Sequence, residues 1–243
     1  FRSSTMPRIA ITSRKNARVI AAARLRGARD RAEQNRFLID GAREIGRAVD
    51  AGIEIVETFV CESLLDESSR ALANRIEAES DEIFECAPTV FEKLAFGNRR
   101  EGLVAVANAP DARLDELHIP PGAIVAVLSG VEKPGNVGAV IRTADAAGVA
   151  AVVIADGGTD LYNPSAIRAS LGAIFSLPVR AARGEESLAW LRREGLPIYA
   201  TRVEGASLYT EVDYAKGGAI LLGSEATGLS ASWSADDIRP IRL

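Results

Sequence analysis

The chain has 243 residues, 47% of them hydrophobic and 26% charged, with a formal net charge of -4. Such a composition supports one large or two ordinary globular domains and excludes collagen-like and globally disordered classes. No apolar run approaches the roughly 18 residues of a membrane span, so a cytoplasmic protein is the default expectation.

The five residues before Met6, Phe1 to Thr5, read as an expression scar outside the fold. Residues 1–50 hold twelve Arg and Lys against five acids, a local net charge of +7 that leaves -11 for the remainder. That imbalance suggests a polyanion-binding arm on an acidic body, with a solvated basic helix as the simpler alternative. Residues 12–33 read as a helix with an exposed basic face, opened by Thr12 or Ser13 and punctuated by Gly27. A short buried strand at 37–39, a helix at 42–51 and a β-branched strand at 53–61 follow. Helix and strand alternate again through 68–79, 82–86, 90–94 and 103–106, which makes residues 6–109 a small α/β domain. Cys61 and Cys86 are no CxxC pair and His118 stands alone, so a zinc site lacks ligands and no metal is expected. Residues 110–122 are polar, contain Pro120-Pro121-Gly122 and read as a linker.

Past this linker the pattern restarts. Continuous apolar runs at 123–128, 150–155, 198–201 and 219–222 suit parallel strands buried on both faces. Helices are predicted at 136–148, at 163–174 with Pro164 in the first turn, and at 185–194 before Gly195. Residues 123–243 are therefore expected to form a mostly parallel sheet with helices on both faces, whose ligands bind beyond the carboxyl ends of the strands.

The loop after the first of these strands, Ser129 to Gly138, holds three glycines and leads into a helix. It fails the P-loop pattern, because Gly135 precedes Asn136-Val137 rather than Lys and Ser or Thr, and it contains no Gly-x-Gly. In the helix that follows, Val137, Val140, Ile141 and Ala144 form the core stripe, which places Arg142 on the opposite side facing water, an anion or a partner. A second loop, 222–230, puts Glu225 at a strand's carboxyl end between Gly223 and Gly228. Glu225 there serves either a ligand or the helix macrodipole.

Taken together, Pro134-Gly135-Asn136-Val137-Gly138-Ala139-Val140-Ile141-Arg142-Thr143-Ala144-Asp145-Ala146-Ala147-Gly148 and Leu221-Leu222-Gly223-Ser224-Glu225-Ala226-Thr227-Gly228-Leu229-Ser230 closely resemble the first two motifs of the SpoU-like, TrmH-type RNA 2'-O-ribose methyltransferases of the SPOUT class. Asn163-Pro164 and Ile167 to Gly172 are similar to that family's intermediate helix, and residues 11–41 to the start of its N-terminal substrate-binding domain. The resemblance spans nearly the whole chain. It implies a C-terminal trefoil-knot parallel-sheet domain preceded by a small α/β substrate-binding domain. It further implies methyl transfer from S-adenosylmethionine to a ribose 2'-hydroxyl of structured RNA, by a homodimer and without metal.

Matched position by position, the resemblance gives functional roles to Asn136, Arg142 and Glu225. It places Arg168 and Ser170 near the RNA, and Thr201, Leu222, Gly223 and Leu243 on the cofactor. Arg142 is the family's proposed base or activator. Arginine stays protonated above about pH 12, so its fork geometry favours a grip on the adjacent phosphate. In the N-terminal domain, Thr12, Ser13, Lys15, Asn16, Arg24, Arg26 and Arg29, with Asn98-Arg99-Arg100, are the RNA-contact candidates. They are phosphate-positioning types with few aromatics beside them, which suits recognition of RNA shape.

Two departures stand out. Lys133 lies where many relatives carry an acid, and the family's third motif would begin after Leu243, so a further tail is expected. Ribosomal RNA is favoured over transfer RNA by analogy with the ribosomal branch. Two other readings stand beside the methyltransferase: an RNA-binding or ribosome-associated module that keeps the fold without catalysis, and a nucleotide-dependent α/β enzyme, which both failed glycine patterns disfavour.

Overall fold

A computed structural model describes residues 8–79, 82–96, 101–157, 160–203 and 206–242. Phe1 to Thr5, Asn98, Arg99, Arg100 and Leu243 lie outside the described residues. The chain divides into two compact units, residues 1–110 with 162–172, and residues 111–161 with 173–243.

The first unit runs β1 (Ile9–Ile11), α1 (Ala17–Arg24), α2 (Ala28–Gln34), β2 (Arg36–Asp40), α3 (Ala42–Asp50), β3 (Ile55–Val60), α4 (Glu67–Glu79), β4 (Ile83–Cys86), α5 (Pro88–Phe91) and β5 (Leu103–Asn108). Its five strands lie in the order β1-β4-β3-β5-β2, with β1, β4 and β3 parallel and β5 antiparallel to both its neighbours. The helix expected over 12–33 is two helices. Asn16, rather than Thr12 or Ser13, caps the first by accepting a bond from the Arg18 N–H, and Gly27 in an extended conformation starts the second. Leu38, Phe59, Phe84, Val104 and Val106 carry the core, with the Phe59 and Phe84 rings 5.3 Å apart.

The second unit runs β6 (Ile124–Ser129), α6 (Pro134–Ala146) and β7 (Ala151–Ala155). The chain then forms α7 (Pro164–Ala169), which packs with the first unit. It continues through α8 (Ala173–Ser176), β8 (Val179–Ala182), α9 (Gly184–Arg193), β9 (Ile198–Thr201), β10 (Ser207–Leu208), β11 (Gly218–Leu222) and β12 (Ile238–Arg242). Seven strands lie in the order β10-β12-β9-β11-β6-β7-β8, every pair parallel. The single helix expected at 163–174 is broken because Leu171 and Gly172 adopt φ of 54° and 82°. A Cβ at Gly172 would lie 3.0 Å from the Arg47 side chain, so this left-handed corner and its close packing on α3 both call for glycine. Residues 110–122 are no free linker. Leu117 is buried in the second unit's core, and its carbonyl accepts a 3.0 Å bond from the Trp190 indole N–H.

Strands β1, β8, β10 and β12 escape the apolar-run pattern because they are short, lie at an edge or, in β12, contain Pro240. The Ile241 carbonyl accepts from the Arg202 N–H on the β9 side. By the alternation along a strand, the Pro240 nitrogen therefore faces away from β9, towards the two-residue β10, and a ring there costs little pairing. The sheet's core is Val125, Val127, Val153, Ala200 and Leu221, closed by Trp190 and Trp233.

Candidate active site and nucleic-acid surface

The carboxyl ends of β6 and β11 and the first turns of α6 enclose a cleft of about 600 Å³, a size suited to a cofactor or small ligand. Leu128, Val140 and Leu222 supply an apolar lining, and Lys133, Asn136 and Glu225 supply convergent polar groups. Three local devices build it. Ser129, at the end of β6, accepts a buried 2.9 Å bond from the Trp233 indole, which fixes the strand end where Gly130 turns with φ of 67°. Pro134 starts α6, which places Asn136 in its first turn. Beyond β11, Ser224 and Gly228 exchange backbone bonds of 3.2 and 3.0 Å, and the Ser224 hydroxyl meets that of Thr227 at 2.8 Å. This closed turn carries Glu225 towards α6.

Glu225 is the centre of the polar cluster. Its Oε1 accepts from Asn136 Nδ2 at 3.0 Å and its Oε2 from Lys133 Nζ at 3.2 Å. The Lys133 and Glu225 side chains are 74% and 73% exposed, so the ion pair stabilises by no more than about 1 kcal/mol and can rearrange. Gly223 matters for shape. A Cβ there would sit 2.3 Å from the Gly228 carbonyl carbon, so the turn can fold back beside the cleft only with glycine.

The residues predicted for this unit are partly gathered. Asn136, Glu225, Leu222 and Gly223 line the cleft. Thr201 does not; it lies at the end of β9 and its hydroxyl donates to the Leu221 carbonyl at 2.8 Å. Arg142 is exposed on α6 and outside the cleft lining, because six residues along a helix turn the side chain well away from the Asn136 face. Its side chain makes no ion pair or hydrogen bond among the described residues. Lys133 stands out in the sequence only as a departure, and Ser224 and Thr227 lie in the second motif without a role assigned to either. No group of three or more His, Cys, Asp or Glu suited to a metal occurs among the described residues, and none of their helices is long and apolar enough to cross a membrane.

In the first unit the basic residues separate by use. Arg8 pairs with Glu62 and Glu77, and Arg18 with Glu57 and Glu82, which together raise the Arg18 pKa, the Glu82 bond most. Arg26 donates to the Lys93 and Ala95 carbonyls at 2.9 and 2.6 Å, Arg31 is buried with a bond to the Leu25 carbonyl, and Arg29 pairs with Glu33. Arg14, Lys15 and Arg24 are exposed and their side chains have no partner among the described residues. Arg14 was missing from the predicted contacts. Thr12 and Ser13 are exposed beside Lys15, and Asn16 spends its side chain on the α1 cap. Arg168 is half-buried and donates to the Phe96 carbonyl at 3.0 Å. Ser170 is a correction: it is fully buried and its hydroxyl donates to the Ile167 carbonyl at 2.8 Å, so it offers RNA no free group.

A parallel sheet with its polar cleft at the carboxyl ends of β6 and β11, and a separate unit built on a small mixed sheet, are the two domains expected of a SPOUT-class methyltransferase with a substrate-binding domain. The chain belongs to the SpoU rRNA methylase family: that family's model matches residues 123–241, and the model of the MRM3-like substrate binding domain matches residues 16–105. Membership in the SPOUT class implies a trefoil knot in the second unit. The 23S rRNA (uridine(2479)-2'-O)-methyltransferase of Streptomyces viridochromogenes is 32% identical over 92% of this chain and 79% of its own length. Among solved structures, an RNA 2'-O ribose methyltransferase is 40% identical with a TM-score of 0.83, covering 97% of this chain and 89% of that one. An AdoMet-bound rRNA methyltransferase from Sinorhizobium meliloti is 25% identical with a TM-score of 0.86, covering 96% and 88%.

Proposed function

We propose that this protein transfers a methyl group from S-adenosylmethionine to a ribose 2'-hydroxyl of 23S ribosomal RNA, as a cytoplasmic homodimer. The observation that carries the reading is the meeting of Asn136 and Glu225, 89 residues apart in sequence, at 3.0 Å inside the cleft. The family supports the cofactor and the substrate class, and the resemblance supports the dimer. The cleft suits the cofactor: its apolar lining matches an adenosine, its carboxylates suit a cation, and the Gly223 turn leaves room that a side chain would disrupt.

A ribose hydroxyl is a poor nucleophile until its proton is taken, and it must lie in line with the group it attacks. S-adenosylmethionine supplies a methyl on a sulfonium that keeps the electron pair of the broken S–C bond. Leu222 and Gly223 hold it through backbone groups and apolar contact, with Thr201 and Leu243 assigned to it by the resemblance. Asn136 orients the Glu225 carboxylate by donating to one oxygen, and the carboxylate accepts the hydroxyl hydrogen. As the O–CH3 bond forms, that proton leaves the ribose through the carboxylate to water. Arg142, charged and unpaired, grips the neighbouring phosphate. In the first unit, Thr12, Ser13, Lys15, Asn16 and Arg24, together with Arg14, dock the RNA backbone, with Arg26, Arg29 and Arg168 supporting that surface; Arg99 and Arg100 are further RNA-contact candidates by sequence.

Calorimetric titration with S-adenosylmethionine and incubation with its methyl-labelled form and an unmodified 23S rRNA transcript test the reading. Heat on titration and label in the RNA are expected. RNA binding with neither heat nor label would identify a non-catalytic module instead.

A further inference from the structure

The geometry points to Lys133 as the residue that binds a substrate phosphate at the cleft and, in doing so, releases Glu225 for the ribose hydroxyl. This assignment rests on the methyltransferase reading above. Among the described residues lining the cleft, Lys133 is the one cation, and the acids Glu132 and Glu225 line it too. A polyanion brought to this mouth meets two carboxylates, and Arg142 does not line it to offset them. Lys133 also sits in an unusual place for its charge. It is the residue before the first turn of the 13-residue α6 and makes no side-chain cap there, where the positive end of the helix disfavours a cation and favours an anion. Glu225 supplies that anion in the free protein, 3.2 Å from Nζ.

The pair is built to exchange. Both side chains are about three-quarters exposed, so little energy holds them together. An ammonium has three N–H donors and spends one on Glu225. A phosphate oxygen arriving at the α6 N-terminus is met by the two spare donors and favoured there by the helix, and its negative charge, set against that of Glu225, draws Nζ away from the carboxylate. Glu225 then keeps its 3.0 Å bond from Asn136 on Oε1 and regains Oε2 as an acceptor. Phosphate docking and readiness of the carboxylate are thereby one event, and RNA itself removes the cation that occupies Glu225.

The test is Lys133→Gln beside Lys133→Arg in the full-length protein, with an unmodified 23S rRNA transcript. Measured quantities are the salt dependence of RNA binding and the KM and kcat of methyl transfer. Lys133→Gln should raise KM about fivefold, the larger share of its effect falling there rather than in kcat. The slope of log affinity against log salt should become shallower by about 0.7 to 0.9, the loss of one phosphate contact. Lys133→Arg should restore both. A fall in kcat with KM and slope unchanged would make Lys133 a mere holder of Glu225 and overturn the assignment, as would no change in any of the three. Failure of the unsubstituted protein to transfer methyl would instead refute the methyltransferase reading.

Discussion

The two units use charge in opposite ways. In the first, arginines are abundant and several are consumed at home: Arg8, Arg18 and Arg29 by carboxylates, Arg26 and Arg31 by carbonyls. In the cleft of the second, polar side chains are fewer, but two of them, Lys133 and Asn136, converge on the exposed Glu225 carboxylate. A basic sequence therefore overstates an RNA surface, while a sparse acidic one hides a site. The difference is one of partners: surplus charge becomes a docking surface only where no internal acceptor takes it, and a lone carboxylate becomes reactive machinery only where distant segments bring donors to it.

The largest effect that sharpens this contrast is expected from Glu225→Gln. It keeps the shape and loses the acceptor, and kcat should fall on the order of 10²-fold with RNA affinity nearly intact. Equal losses in kcat and RNA affinity would show that Glu225 is a docking residue. Gly223→Ala comes next. The added methyl meets backbone at 2.3 Å, and calorimetry should register a roughly 5- to 150-fold weaker affinity for S-adenosylmethionine, from a cost of about 1–3 kcal/mol. Unaltered affinity would mean that the turn does not border the cofactor.

Substitutions in the first unit should do less singly and discriminate by partner. Replacing Arg14, Lys15 and Arg24 together by Gln should lower RNA affinity and make its salt slope shallower by about 2. Arg29→Gln, whose charge is already paired with Glu33, should leave binding within about twofold. Equal effects would remove the distinction between free and consumed arginines. Smallest of all is the response of the thiols. Burial first, and then the proximity of Cys61 and Glu85, pushes the Cys86 thiol up to about 12, and Cys61 is buried too. Neither should react with iodoacetamide at pH 8 in the folded protein, and rapid labelling would place them at the surface.

Much of the fold was readable as pattern. Strands β6, β7, β9 and β11 are buried on both faces and announce themselves as apolar runs. The short or proline-containing β1, β8, β10 and β12 do not, because they are held by neighbours rather than by their own hydrophobicity. The break at Leu171-Gly172 comes from packing on Arg47 and Glu44, contacts 125 or more residues away in sequence. In the cleft, Asn136, Leu222, Gly223 and Glu225 were recoverable from the motif resemblance. The Lys133 pair, spanning 92 residues, was not, since neither local motif names its partner. The arginines followed the same rule: Arg18 meets Glu82 across 64 residues, and only the folded chain shows that its charge is spent.

The most direct test is the chemical position of the transferred methyl. An unmodified 23S rRNA transcript incubated with the protein and methyl-labelled S-adenosylmethionine is hydrolysed in alkali, and the products are separated by size. A ribose 2'-O-methyl blocks attack on the adjoining phosphate, so label should appear in an alkali-resistant dinucleotide, and Glu225→Gln should abolish most of it. Label released in mononucleotides would place the methyl on a base, and absence of label would remove the activity altogether.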